Sequence, residues 1–441
     1  MKISKALFLW SILIFAACGN ESGDQISTKE KSAEVNEITS AQLVLKDSIM
    51  IDVIAGLNIY DYNSKTGLFL AGDVSPGGVI FMGATQKFNT LGHLVINRKG
   101  EIVHQFKRNG NGPEEFGGGA LDNFFLGDSS VAVLSKTGLF QYAIDGNFQK
   151  KYKNINGQDL VGYSNYKVGV SDNNGNLAIG LAKGMDDATR AWDSLFQIVK
   201  PMRFYDLKAF ETGYETLESG EKAKYGYPDH PHYYPESKFG VQQMPPHVAY
   251  NSFSDEVYAV YPTIRAIEVY DMETGDFKKR IDTQPDFFGE PVETGTVEGA
   301  IGGYEGLAWM NRGGRLASSN YHEIDQIGQY TLLRYNTALP EDILNPLLAK
   351  GYNKDERWPA VRRQNYKFYY QLFKDGKKVL PDFELPELEP QEGQVEFIRH
   401  NQTRGVVIGG DGLESIYVFM PNDGDVERDY ELIYVYELRL K

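Results

Sequence analysis

The chain has 441 residues, a formal net charge of −15, 28 tyrosines and a single cysteine. That acidity argues against nucleic acid as a partner, because phosphate binding needs a basic surface. One cysteine excludes disulfides within the chain and any thiolate cluster for a metal, yet the length is ample for an apolar core without such staples.

The first element is an export signal. Lys2 and Lys5 precede an apolar run from Ala6 to Phe15, then small Ala16 and Ala17, then Cys18-Gly19. That layout is a secretory signal peptide, and its apolar run is too short for a transmembrane helix, which needs about 20 residues. A cysteine at the cleavage point makes the segment look like a bacterial lipoprotein signal, with Phe15-Ala16-Ala17-Cys18 as the lipobox and Phe15 where such signals usually carry Leu. The expectation is a signal over residues 1–17, lipidation at Cys18, and a membrane-tethered protein in the cell envelope. The outer membrane is the expected site, on its periplasmic or outer side. Each buried acyl CH₂ contributes about 0.8 kcal/mol, so several chains on one residue anchor stably. Loss of Lys2 and Lys5 takes the mature chain to about −17. Residues 18–40 are polar without an apolar period and read as a flexible tether, reaching at most roughly 75 Å. Glu21 and Asp24 in it resemble the acidic surface-export signals of Bacteroidota lipoproteins.

From residue 41 to 441 the chain reads as one β-rich domain. Short alternating runs are split by Gly, Asn and Asp turns. Leu57–Asn63 leads through Thr66-Gly67 to Leu68–Leu70, and His93–Asn97 leads through Lys99-Gly100 to Ile102-Val103. Leu139–Ile144 leads through Asp145-Gly146 to Phe148, and Ala266–Asp271 through Thr274-Gly275 to Phe277. Each reads as a hairpin with Gly at the tip. Looser copies stand at 175–179, 330–335 and 431–436. A hairpin repeated with little helix between copies argues for a β-propeller. The predicted blade count is six, with seven as the alternative, and the last strand, Glu431–Leu440, is expected to close the ring against the first blade. Pro340–Lys350 predicts a short helix with Pro at its start, and Tyr366–Phe373 another strand before a Lys374–Lys377 turn.

Arg108–Gly119 is the densest local signature, with Gly at 110, 112, 117, 118 and 119. A phosphate cradle wants successive N–H groups at a helix start, usually with Lys. Here Pro113 removes a donor and Glu114 and Glu115 add negative charge, so the segment reads as a turn between blades with Phe116 plugging an apolar gap. Gly110, Gly112, Pro113, Glu115 and Phe116 also carry a resemblance. A Gly-x-Gly-Pro-x-Glu-Phe turn after a hairpin, behind a lipobox, is similar to the six-bladed β-propeller lipoproteins of Bacteroidota, which include domains of unknown function. Glu114 departs from it, standing where Gly is common. The resemblance implies a propeller fold and an envelope location, and it brings no catalytic residues.

Tyr225, Tyr227, Asp229, His230, His232, Tyr233, Tyr234 and Glu236 form the most unusual segment. Two imidazoles with carboxylates can bind zinc, but His-Pro-His lacks a helical face and further ligands would have to come from elsewhere. Four tyrosines could instead stack on a sugar ring while the two acids accept its hydroxyls. The plainest account is a Pro-stiffened surface loop. His247, after Pro245-Pro246, could lie near it. His322, beside Glu323 and Asp325, offers a His with acids, as a hydrolase dyad needs within hydrogen-bond reach. Asp172–Asn176 and Asn422–Asp425 resemble fragments of calcium loops without the later bidentate Glu, and turn chemistry explains them better.

Taken together, these features predict a non-enzymatic binding or interaction module on the bacterial envelope. It would be held to the membrane through Cys18 and would bind a glycan, a peptide or an envelope protein. No catalytic residue, metal or cofactor is assigned. The alternative is a carbohydrate-active lyase or hydrolase using His230, His232 or His322, to be distinguished by whether these side chains converge on a central channel. A third option is a structural subunit, marked by an exposed blade edge.

Overall fold

The computed structural model describes residues 38–53, 57–73, 92–117, 120–135, 137–153, 155, 169–180, 202–209, 246–262, 264–289, 319–340, 342–344, 346, 365, 367–388, 405–420 and 430–441. They are almost wholly β. After β1 (Ala41–Ile51), the repeating unit is an antiparallel meander in which each strand pairs with the next. The first comprises β2 (Leu57–Asn63), β3 (Leu68–Asp73), β4 (His93–Asn97) and β5 (Ile102–Phe106). The second comprises β6 (Ala120–Leu126), β7 (Ser130–Ser135), β8 (Gly138–Ala143) and β9 (Phe148–Tyr152). A three-stranded unit follows: β10 (Gly169–Ser171), β11 (Asn176–Gly180) and β12 (Met202–Asp206). The next is four-stranded: β13 (His247–Asn251), β14 (Glu256–Val260), β15 (Ala266–Asp271) and β16 (Phe277–Asp282).

An eight-stranded sheet completes the chain, and it is two meanders in contact. One holds β17 (Asn320–Ile327), β18 (Tyr330–Asn336), β19 (Phe368–Lys374) and β20 (Lys377–Lys378). The other holds β21 (Val406–Gly412), β22 (Ser415–Phe419), β23 (Glu431–Leu440) and, as its outer strand, β1. A lone parallel pairing, Ile327 with Gly410, joins them. Glu431–Leu440, expected to close a ring against the first blade, does not pair with a strand of the first meander. β23 stays in its own meander, and the N-terminal strand comes to it, in register from Ala41 opposite Leu440 to Ile51 opposite Glu431. The ladder runs on past the strand ends, with Lys441 N donating to Ser40 O at 2.8 Å.

Meanders pack in chain order through apolar faces. Leu70, Val95, Phe125, Val133 and Phe140 fill the space between the first and second. Phe124, Leu134, Leu177 and Tyr205 do so between the second and third, and Phe204, Val248, Val257 and Tyr270 between the third and fourth. The last packs against the first through Ile51, Phe69, Leu94, Tyr417 and Ile433. The first strands follow the same cycle: β2 lies beside β6, then β10, β13, β17, β21 and β2 again.

Burial falls from the inner strands outward. Ser130–Ser135 is buried at every position, because it is covered on both faces. Ile102–Phe106 is exposed at four of its five residues, which is the state of an outer edge. The four hairpins predicted with Gly tips all form, with Gly67, Gly100, Gly146 and Gly275 at φ of 70°, 82°, 84° and 72°. Within the predicted helix at 340–350, Asp342–Leu344 are helical and the amides of Ile343 and Leu344 donate to Pro340 O. No helix among the described residues is long and apolar enough to cross a membrane.

Candidate functional site

The C-terminal ends of β2, β6, β10, β13, β17 and β21 converge on one cavity of about 180 Å³. Each strand contributes: Asp61 to Asn63, Phe125, Ser171, Tyr250, Asp325 with Gln326, and Ile408 to Gly410. Polar bonds stitch these ends together. Asp61 Oδ2 accepts the Phe125 amide at 2.9 Å, and Asn63 Nδ2 donates to Gly127 O at 3.1 Å. Ser171 Oγ accepts from Gly127 N at 3.0 Å and donates to Phe125 O at 2.9 Å. Four aspartates, Asp61, Asp128, Asp172 and Asp325, face the cavity against one lysine, Lys65, which pairs with Asp128.

Phe253 stands at the rim of this cavity and is 72% exposed. Its turn is fixed: Asn251 Oδ1 accepts the Phe253 amide at 3.0 Å, and Tyr250 donates its hydroxyl to Asp255 Oδ1 at 2.8 Å. Burial, with Asp255 adding to it, pushes the Tyr250 phenol well above its ordinary range, so it acts as a neutral donor. A second hollow of about 370 Å³ shares Asp128, Asp172 and Asn173 with the first and extends to Tyr152 and Lys208.

Tyr62, which lines the cavity, belongs to a charged network. Arg98 Nη2 donates to Asp411 Oδ1 at 2.8 Å and to the Tyr62 hydroxyl at 2.6 Å. Tyr62 and Tyr417 donate to the two Asp411 oxygens at 2.8 and 2.9 Å. These bonds join the first meander to the last beside the cavity, and burial raises the Tyr62 phenol well beyond its ordinary value.

The residues singled out in the sequence divide into three sets. Cys18, and Tyr225, Tyr227, Asp229, His230, His232, Tyr233, Tyr234 and Glu236, lie outside the described residues, as does Asn422–Asp425. His322 is described and half-buried. Its Nε2 lies 2.5 Å from Asn336 Oδ1 and its ring 5.6 Å from that of Phe368. Glu323 beside it receives Arg334 Nη2 at 2.5 Å, whereas Asp325 lines the cavity. His322 and its neighbouring acids are thereby sent to different places. His247 is buried, at 4% exposure, and burial together with the positive Arg334 pushes its pKa down to about 3.

The third set is structural. In the Arg108–Gly119 turn, Glu115 Oε2 accepts the Gly112 amide at 2.8 Å, and Phe116 N donates to Arg108 O at 3.0 Å. A Cβ at Gly110 would meet Glu115 Oε2 at 2.0 Å, so a side chain there would displace the Glu115 carboxylate from the turn. Phe116 is buried between the first two meanders, the plug that the sequence predicts. Asp172 spends its carboxylate on its own turn: Oδ1 accepts the amides of Asn174 and Asn176 at 2.8 Å each, and Oδ2 accepts Asn176 Nδ2 at 2.6 Å. Among the described residues no group of three or more His, Cys, Asp or Glu is placed to hold a metal ion. The sequence did not point to Asp61, Asp128 or Phe253, and it singled out Asp325 only as a neighbour of His322. An aromatic at a hairpin tip, Asn251-Ser252-Phe253-Ser254, was the one available signal.

No family model matches the chain, and no curated protein matches it. Among solved structures, a member of the DUF4221 family from Bacteroides vulgatus is similar in fold, with a TM-score of 0.52 at 9% identity over 92% of this chain and 100% of that one. A candidate exported protein from Bacteroides fragilis gives 0.45 at 10% identity over 91% and 95%. The β-propeller domain of Myceliophthora Swd1 gives 0.36 at 9% identity over 90% and 100%. At these identities the likeness is one of fold.

Proposed function

We propose that this chain is a six-bladed β-propeller lipoprotein of the bacterial envelope and acts as a binding module for a glycan, a peptide or an envelope protein. Its blades are the meanders that begin at β2, β6, β10, β13, β17 and β21, with β1 closing the last. The cyclic packing of those meanders supports this count over seven. Cys18 attaches the domain to the outer membrane, and residues 18–40 give it reach.

The observation that carries the binding role is the cavity at the joined first-strand ends. It is polar and concave, fixed by bonds between blades, and edged by an exposed aromatic side chain. A preformed concavity with convergent polar groups supports a recognition role.

The test uses the full chain purified without chelator. It combines a glycan array, metal analysis and crosslinking in intact envelopes. Saturable glycan capture, or a reproducible crosslinked partner, is expected. Stoichiometric metal with hydrolysis or elimination of an arrayed glycan would overturn the binding role in favour of an enzyme.

A further inference from the structure

We propose, resting on the reading of Cys18 as the lipid anchor, that one face of the β1–β23 ladder is a second membrane contact that seats the domain on the lipid surface. The register defines that face. Leu45 stands opposite Tyr436, Ser48 opposite Tyr434 and Met50 opposite Leu432. Directly opposed residues share a face, as do residues two apart along a strand. The register shift between Leu45 and Asp47 brings Leu45 and Met50, an odd number of residues apart, to the same side. One end of the face is covered, because Leu43, Tyr436 and Leu438 join the core with Tyr370 and Leu372. The other end is uncovered: Leu45 is 53% exposed and Met50 57%, with Leu432 and Tyr434 half-buried beside them. Tyr430, two residues before Leu432, adds an exposed ring. Exposed apolar side chains scattered singly need no explanation. Here three of the eight large ones exposed among the described residues gather at one end of one ladder. Ser48 stands between Leu45 and Met50 on that face, so no charge interrupts it there.

The occupant follows from the layout and chemistry of the chain itself. The segment that begins at Cys18 runs directly into β1. A random coil of that length spans roughly 25 Å. Acyl chains inserted at Cys18 therefore hold a lipid surface within reach of this strand at high effective concentration, where a modest apolar area suffices to dock. Leu and Met bring apolar bodies, and Tyr adds a polar tip of the kind that sits at headgroup level. A second copy fits less well, since it brings its own formal net charge of −15 to the contact. The contact orients an anchored chain rather than holding one alone. β1 is the outermost strand of its meander, three strands from β21, so the cavity at the end of β21 stays open.

The experiment exploits the single native cysteine, which the anchor consumes. Met50→Cys, Leu45→Cys and, as a control on the outer strand of the fourth meander, Lys279→Cys each give the acylated full chain one thiol for an environment-sensitive dye. Each protein is reconstituted into phosphatidylcholine vesicles with and without acyl-brominated lipid, and mass spectrometry of the N-terminal peptide reports acylation. Loss of dye emission to brominated lipid is expected from the Met50 and Leu45 positions and not from the Lys279 position. Adding Leu45→Asp to Met50→Cys should restore the emission. In an acylated chain, equal quenching at all three positions, or none at the first two, would overturn the membrane seat and leave the anchor standing. A blue shift at the Met50 position that grows with protein concentration, without quenching, would overturn it in favour of a second copy. A chain whose Cys18 is found unacylated would remove the anchor, and this proposal with it.

Discussion

His247 makes the fold sensitive to acid in a way that can be worked out in advance. It opens β13, is 4% exposed, and sits close enough to Arg334 for that charge to oppose its own. Its pKa in the folded chain is therefore pushed from 6.5 down to about 3. The unfolded chain binds the proton first as pH falls, so stability is intact above pH 6.5 and drains away toward pH 3. For those two values the loss between pH 7 and pH 4.5 is about 2.5 kcal/mol. Urea unfolding midpoints across that range give the measurement, with His247→Gln as the comparison. The variant lacks the titrating group, so its stability should fall less steeply by that amount, whatever its stability at pH 7. Aspartates and glutamates contribute equally to both curves and cancel. Parallel curves for the two proteins would refute the assignment of a buried neutral imidazole.

Other outcomes follow from the packing. Phe116→Ala should cost roughly 3–5 kcal/mol in urea unfolding, the usual penalty for a buried Phe, because its ring fills the gap beside His93 and Phe140. Gly146→Ala and Gly175→Ala should differ although both sit at positive φ, 84° and 89°. The first places a methyl 2.2 Å from Phe106 Cβ, and the second meets only the Lys208 side chain at 3.4 Å, so Gly146→Ala should lower the unfolding midpoint far more. Cys18→Ser should move the protein from the membrane fraction to the soluble fraction on cell fractionation, and retention in the membrane would argue against lipidation.

The sequence made the inner architecture legible and blurred the outer. Hairpins with a Gly tip were readable because positive φ leaves a mark in composition, as at Gly67 and Gly275. Outer strands were legible only where they leave the tip, as at Phe148 and Phe277. Phe148–Tyr152 and Phe277–Asp282 carry Lys or Arg at half or nearly half of their positions, because an edge facing water needs charge to resist pairing with other chains. Their extent past Phe148 and Phe277 shows only when the neighbouring strand is placed beside them. The pairing of β1 with β23 was also hidden. Ala41–Ile51 alternates only weakly, with a register shift between Leu45 and Asp47, and its identity as a strand comes from β23. The cavity residues escaped notice for a related reason. Asp61 and Asp325 come from strands far apart in sequence, and only the packing of the meanders brings them to one mouth.

Residues that shape the cavity and residues free to select a ligand are different sets. Asp61, Asn63 and Ser171 bond backbone groups of the second meander, so changing any of them disturbs the fit between blades before it alters recognition. A buried acceptor removed from a backbone amide costs about 1–3 kcal/mol. Phe253 and Lys65 hold nothing of that kind, and Asp128 adds only a long 3.4 Å bond from Asn63 Nδ2: the ring is exposed, and the Lys65–Asp128 pair is a surface contact worth at most about 1 kcal/mol. Substitutions at these three should therefore change affinity with little loss of stability, and substitutions at the first three should change both together. Affinity that tracked only the stability losses, with Phe253→Ala and Asp128→Asn silent, would place the recognition surface elsewhere on the molecule.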